Sequence, residues 1–197
     1  MPPWLEDSLP LPKLIVLDLD YTVWPFYSDI HPAPPLRSSP NSNSTSITDR
    51  NGETFSLYPD VPAILSLFSS PSIPVRIAVA SKSPVHDLCK EILKLIRLPP
   101  PESSSSFSSS KGKKTLEVFD GGLEIYEGTK LRHFEVISRR TGIKYEDMLF
   151  FDDERPNREV ERLGVTMRLV EDGLTWEEVG RGIDLWRRRR GIITSGQ

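Results

Sequence analysis

Leu14-Ile15-Val16-Leu17-Asp18-Leu19-Asp20-Tyr21-Thr22-Val23-Trp24-Pro25 is the stretch that decides the fold of this chain. Leu14 to Leu17 are all apolar, and an uncharged run of Leu, Ile and Val reads as a strand covered on both faces, as in a parallel sheet. Two carboxylates, Asp18 and Asp20, follow at its C-terminal end, where open α/β sheets bind ligands. Placing them there is costly unless a cation or a bound proton offsets the charge. Carboxylates at i and i+2 off a strand end, with the Thr22 hydroxyl two further on, suit attack on phosphorus beside a divalent metal.

Working outward, strand and helix patterns alternate. Asp60 to Ser69 reads as a short helix starting near Asp60 and Pro62, and Val75 to Ala80 as a buried strand. Apolar residues at Val85, Leu88, Cys89, Ile92, Leu95 and Ile96 predict a helix over 84–98. Glu117 to Tyr126 predicts a strand interrupted at Gly121-Gly122. Leu131 to Thr141 predicts a helix ending at Gly142. Met148 to Phe151 follows as a strand, Arg158 to Leu163 as a helix closed by Gly164, and Val165 to Val170 as another strand. Thr175 to Arg190 closes the series as a helix, with Thr175 and Glu178 forming a capping box. The alternation predicts an α/β fold, a parallel sheet with helices on both faces and right-handed crossovers.

Two low-complexity stretches interrupt this pattern, one over about 38–47 and one over about 99–114. Neither has the apolar surface to offset its ordering entropy. Neither flank alone holds a complete set of strands, so both are read as flexible loops within a single domain spanning 1–197, ending in a basic tail over 187–197. Among 197 residues the net charge is −3, which gives no reason to expect nucleic acid or an anionic membrane as partner. Arg187 to Arg190 reads as a solvated helix end opposing the helix dipole, and Trp4 as exposed. The lone Cys89 excludes an intramolecular disulfide framework and reads as a buried, inert thiol. No apolar stretch approaches the roughly 20 residues needed to span a bilayer, and the N-terminus lacks a secretory pattern. A cytoplasmic protein is expected, with the nucleus open, acting as a monomer.

Four short polar motifs follow strand-like sequence: Asp18/Asp20/Thr22, Ser81-Lys82 after the second buried strand, Lys130 at a helix start, and Asp152-Asp153-Glu154. In a parallel sheet those loops share one edge, so the motifs are expected to converge. Alone, each has a bland reading: a solvated turn, a cap, a surface lysine, an acidic helix start. Their shared placement favours a joint one. A carboxylate attacking phosphorus splits one hard displacement into two easier ones. Mg²⁺ favours one or two carboxylates plus substrate oxygens and water, which Asp18 and Asp152 can supply with a carbonyl of the Asp20 turn. Asp20 is then free to move protons. Ser81, Lys130 and the backbone N–H groups of Leu19 and Asp20 are candidates to hold the phosphoryl oxygens. Lys82 either adds to phosphate attraction or points into solvent, and the solvent reading is preferred.

These residues resemble the haloacid dehalogenase superfamily of phosphohydrolases, from Leu14 to about Arg187. Tyr21, Trp24-Pro25-Phe26, Leu57-Tyr58-Pro59, Glu124-Ile125-Tyr126, His133-Phe134 and Phe150-Phe151-Asp152-Asp153-Glu154 narrow the resemblance to its magnesium-dependent phosphatase 1 group. The resemblance implies a Rossmann-like domain, Mg²⁺ as cofactor and a phosphoaspartate at Asp18. It implies Asp20 as general acid and base, Ser81 and Lys130 as phosphate ligands, Asp152 as metal ligand, and Asp153 as orienting Lys130 or a metal-bound water. It also implies no large cap domain, since residues 23–60 and 84–129 are too short and polar for a globular lid. The first Ser-rich loop could drape over the site mouth. The expected substrates are phosphotyrosine in proteins and sugar phosphates. A polymerase-tail-type phosphoserine phosphatase shares the strand-DLDxT start, but Tyr21 to Pro25 count against it. A phospho-receiver module places its acidic pair first and its lysine last, the reverse of Lys130 before Asp152. A catalytically inert binding protein is disfavoured because no motif residue is missing.

Overall fold

A computed structural model of the chain describes residues 2–38, 45–99 and 112–192. The elements in order are α1 (Pro3–Glu6), β1 (Leu14–Leu17), β2 (Arg37–Ser38), β3 (Ser46–Thr48), β4 (Thr54–Ser56), α2 (Val61–Phe68), β5 (Arg76–Ser81), α3 (His86–Leu95), β6 (Gly122–Ile125), α4 (Lys130–Thr141), β7 (Met148–Asp152), β8 (Thr166–Leu169) and α5 (Trp176–Arg189). Five strands form a parallel sheet in the order β6-β5-β1-β7-β8. All four residues of β1 are buried, and alternate side chains feed two cores. Ile15 and Leu17 join Ile77, Val79, Leu149 and Phe151 under α2, α3 and α5. Leu14 and Val16 join Ala78, Ala80, Met148 and Phe150 under α4 and a 3₁₀ helix at Arg155–Leu163. Cover on both faces explains why the strand sequence is uniformly apolar.

The chain adds β5 and β6 on one side of β1, then crosses through α4 to add β7 and β8 on the other. The C-terminal ends of β1 and β7 therefore flank the point where strand order reverses, the usual ligand crevice of such sheets. Gly121 lets the chain enter β6: its N–H donates to the Ile77 carbonyl at 2.8 Å, and an added Cβ would stand 2.9 Å from that carbonyl oxygen. α4 stops where Gly142 takes a φ of 69° and its N–H donates to Ser138.

Several local expectations are corrected. The first half of the predicted strand at Glu117 is part of a 3₁₀ turn over Thr115–Val118, and only Gly122–Ile125 pairs. The helix expected at Arg158 begins at Arg155 and is 3₁₀. The capping box at α5 is half made. The Thr175 hydroxyl accepts from the Glu178 N–H at 3.1 Å, but the Glu178 carboxylate pairs with Arg168 at 2.5 and 3.1 Å.

The described ends of the loop expected over about 38–47 are strands: β2 pairs with β3, and β3 with β4, in a small antiparallel sheet. Ile47 in β3 is fully buried, and Phe55 in β4 packs edge-on against Phe26 at 5.1 Å. Residues 39–44 of the first Ser-rich stretch and 100–111 of the second lie outside the described residues, as do 193–197 of the basic tail. Arg187 is not a solvated helix end: its side chain is 1% exposed and binds Asp7 together with the carbonyls of Trp4, Leu9 and Pro10. Trp4 is buried too, stacked on Phe68. Cys89 is buried, and its burial pushes the thiol up to about 11. No helix among the described residues is long and apolar enough to cross a membrane.

Candidate active site

β1 runs straight into Asp18, whose N–H donates to Phe151 of β7 at 3.0 Å. The chain then winds tightly. The amides of Thr22, Val23 and Trp24 all donate to the Leu19 carbonyl, and Tyr21 adopts a φ of 52°, unusual for a residue with a side chain. This turn brings the Trp24 indole back to Asp20, Nε1 donating to Oδ1 at 2.8 Å. The Ser28 N–H and hydroxyl both donate to Asp20 Oδ2, at 3.2 and 3.1 Å. Leu19 buries its side chain in the core, so only its backbone faces chemistry. Thr22 is fully buried outside the cavity lining, and its hydroxyl has no partner among the described residues.

Lys130 opens α4 with its side chain 1% exposed. Its ammonium donates to Asp18 Oδ1 at 2.6 Å and to the Ala80 carbonyl, and lies 3.0 Å from Asp152 Oδ2. A lysine is this buried only when its charge is matched. Asp152 is fully buried at the end of β7, and Asp153 follows it half-buried. Asp18, Asp152 and Asp153 each offer an oxygen, all within 4.8 Å of one another. Three carboxylates against one ammonium leave two negative charges uncompensated, the charge of a single divalent cation. The donor set is all oxygen, as a hard cation requires. The Asp20 carboxylate is not part of this group; only its backbone is left to serve a metal.

The electrostatics follow from burial. Asp18 is pushed up to about 7 by desolvation, with Lys130 pulling against it and Asp152 and Asp20 adding to it. Asp153 is pushed up to about 6 by desolvation and by Asp152. Desolvation also raises Asp20, while its bonds from Trp24 and Ser28 oppose the rise. Burial alone would lower Lys130, but Asp18 and Asp152 outweigh it and hold the ammonium above its ordinary value. A cation bound beside Asp18 and Asp153 would favour their ionised forms.

Asp18, Asp20, Ser81, Lys82, Lys130 and Asp153 line one cavity of about 180 Å³. Ser81 ends β5, almost fully buried, its hydroxyl accepting from the Ser83 N–H at 3.3 Å. Lys82 is one-third exposed and reaches within 3.9 Å of Glu154, so it stands at the rim rather than pointing away. Glu154 lines the cavity, and so does Tyr27, half-exposed. The antiparallel sheet β2-β3-β4 supplies no lining residue.

Residues 10–189 match the family model described as Acid Phosphatase. The chain belongs to the acid phosphatase family. It is 35% identical to human magnesium-dependent phosphatase 1 over 179 residues, 90% of this chain and 89% of that one. It is 36% identical to a HAD-like hydrolase superfamily protein of Schizosaccharomyces pombe, over 81% of this chain and 86% of the relative. The haloacid dehalogenase resemblance thus holds, with its magnesium-dependent phosphatase group. Among solved structures, the N-terminal part of BF1531 from Bacteroides fragilis, containing a phosphatase domain complexed with Mg, gives a TM-score of 0.54 at 17% identity. That match covers 93% of this chain, which spans 41% of the other. A HAD family enzyme from Bacteroides thetaiotaomicron gives 0.50 at 15% identity, covering 86% and 98%. These two likenesses bear on the fold.

Within this acid phosphatase-family site, sequence reading missed the residues that hold the motif side chains. Asn157 donates from Nδ2 to both oxygens of Asp152, each at 2.9 Å, and to Glu154 at 3.2 Å. An Asn five residues past a strand carries no spacing signal. Ser28 was equally silent, because the turn that brings it to Asp20 is set by tertiary packing.

Proposed function

We propose that this chain hydrolyses phosphate monoesters through a phosphoaspartate on Asp18, with Mg²⁺ held by Asp18, Asp152, Asp153 and a carbonyl of the Asp20 turn. The observation carrying this reading is the buried Lys130 ammonium between Asp18 and Asp152 beside the three-carboxylate group. A carboxylate oxygen of Asp18 attacks phosphorus, the ester P–O bond breaks, and Asp20 gives its proton to the departing oxygen. Water then attacks the phosphoryl group, Asp20 takes a proton from it, and the bond to Asp18 breaks to release inorganic phosphate. Ser81, Lys130 and the Leu19 and Asp20 amides receive the charge that grows on the phosphoryl oxygens. Mg²⁺, when bound by the acidic group, would supply further charge neutralisation for the transferring phosphoryl group. Lys82 at the rim adds attraction for the incoming dianion.

The proposed substrates are phosphotyrosine in proteins and sugar phosphates, met by a monomer in the cytoplasm or nucleus. Bulky substrates are supported by the cavity's lining: among the described residues none of β2, β3 or β4 takes part in it, and Tyr27 stands half-exposed at its edge. Asp18→Asn is expected to abolish turnover of p-nitrophenyl phosphate in Mg²⁺, and retained activity would overturn the mechanism. Ranking phosphotyrosine peptides and sugar phosphates by kcat/KM decides between the substrate classes.

A further inference from the structure

From the cavity wall at Ser83 to Asp20 runs a chain of small, nearly buried polar side chains that the reaction scheme leaves unused. Ser28 is fully buried and Ser83 nearly so; their hydroxyl oxygens lie 2.8 Å apart. Either could donate, but counting protons fixes the direction. The Ser83 oxygen already accepts from the Val85 N–H and from the Cys89 thiol, each at 3.4 Å. Because Ser28 spends its single hydroxyl proton on Asp20 Oδ2, the proton between the two hydroxyls is that of Ser83, which donates to Ser28. Ser28 in turn donates to Asp20 Oδ2 at 3.1 Å, where its N–H also donates at 3.2 Å.

Both hydroxyls therefore point the same way, Ser83 to Ser28 and Ser28 to Asp20, with the Cys89 thiol packed against the pair. Aligned donors polarise one another, and the last bond of the series falls on a carboxylate oxygen. The count at Asp20 is equally specific. Oδ2 has both lone pairs filled by Ser28, while Oδ1 has one filled by Trp24 Nε1–H and one free. That free position is the one left to exchange a proton with substrate oxygen. The same Ser83 donates its N–H to the Ser81 hydroxyl at 3.3 Å, tying the phosphate-holding strand end to the proton-moving group.

We infer that Ser28, backed by Ser83, is a positioning residue that fixes the rotation of the Asp20 carboxylate and presents its Oδ1 to the leaving oxygen. It rests on the reading of Asp20 as proton donor given above.

The test compares Ser28→Thr with Ser28→Val, which add the same bulk and differ in one hydroxyl. kcat/KM is measured with phenyl phosphate and p-nitrophenyl phosphate, which share a ring but differ in how much the departing oxygen needs a proton. Losing a hydrogen bond to a charged group predicts that Ser28→Val falls about tenfold or more below Ser28→Thr on phenyl phosphate. The gap on p-nitrophenyl phosphate is expected to be several-fold smaller, which a loss of packing alone would not produce. Ser28→Ala against wild type serves the same comparison if the branched variants lack a cooperative thermal transition. Asp20→Asn is run beside them and is expected to lose more on phenyl phosphate. If it does so while Ser28→Val matches Ser28→Thr on both esters, or drops equally on both, the positioning role is overturned and the role of Asp20 stands. If Asp20→Asn shows no such preference, the proton-donor reading itself falls, and the positioning role with it.

Discussion

Arg187→Ala is expected to destabilise the protein by about 3 kcal/mol, while Arg188→Ala one residue on changes little. The guanidinium of Arg187 gives two bonds to Asp7, at 2.6 and 3.0 Å, and one each to the carbonyls of Trp4, Leu9 and Pro10, at 3.0–3.2 Å. Asp7 retains partial exposure, its side chain 32% accessible, so it returns to water when Arg187 is cut and that pair is worth only about 1 kcal/mol. The hydrogen bonds from Arg187 also hold Asp7 below its ordinary carboxylate range. The three carbonyls lose a charged donor in a site where Arg187 itself is 1% exposed, at about 1 kcal/mol each. Losing the buried aliphatic stem adds to the cost, and relief from burying the guanidinium subtracts from it. About 3 kcal/mol remains, or roughly 6–12 °C in Tm for a chain of this size.

The comparison with Arg188 isolates burial from charge. Both residues sit in the last turn of α5, where cations oppose the helix dipole equally. Arg188 is exposed, so its removal is expected to cost under about 0.5 kcal/mol. Urea denaturation of the two variants gives the numbers directly. A difference below about 0.5 kcal/mol would mean that the segment from Trp4 to Pro10 does not depend on Arg187.

Three further outcomes are expected. Asp18 and Asp153, raised to about 7 and about 6, make the folded chain hold more protons than the unfolded one, so stability in EDTA should fall as pH climbs from about 5 to 7.5. Added Mg²⁺ should raise Tm most at the upper end, and a flat Tm in EDTA across that range would contradict the charge balance drawn for the site. Asn157→Asp sets a carboxylate against Asp152 where an amide donated, and is expected to lower turnover and Tm together, measured with p-nitrophenyl phosphate and by thermal melt. Ile47→Ala is expected to cost about 2–4 kcal/mol by urea denaturation, since the side chain is fully buried; a cost near zero would return residues 46–48 to the loop reading.

The parallel sheet was legible because its three central strands, β1, β5 and β7, carry apolar runs of four residues and its helices carry ordinary stop signals, as at Gly142. The convergence of Asp18, Ser81, Lys130 and Asp152 was legible for the same reason, since each follows a strand whose direction the alternation dictates. Strands of two or three residues, as in β2, β3 and β4, are too short to show a period, so a Ser- and Asn-rich stretch hid the buried Ile47. Arg187 was hidden differently. Four consecutive arginines look alike in sequence, and only the chain ahead of β1, folding back over α5, selects one of them for burial.

The opening stretch carries two aspartates two residues apart, which the sequence reading separates by role; their surroundings show the physical basis of that division. Asp18 meets a buried ammonium and two further carboxylates, so its neighbours are charged and the group as a whole calls for a cation. Asp20 meets an indole N–H, an amide and a hydroxyl, all neutral donors, and is excluded from the acidic group. Charged neighbours suit the role proposed for Asp18, a carboxylate that stays ionised beside a metal and attacks phosphorus. Neutral donors that fix orientation without fixing charge suit the role proposed for Asp20, which alternates between holding and releasing a proton. The turn from Leu19 to Trp24 makes this division, because it swings Asp20 away from Lys130 and toward Trp24 and Ser28 within two residues of Asp18.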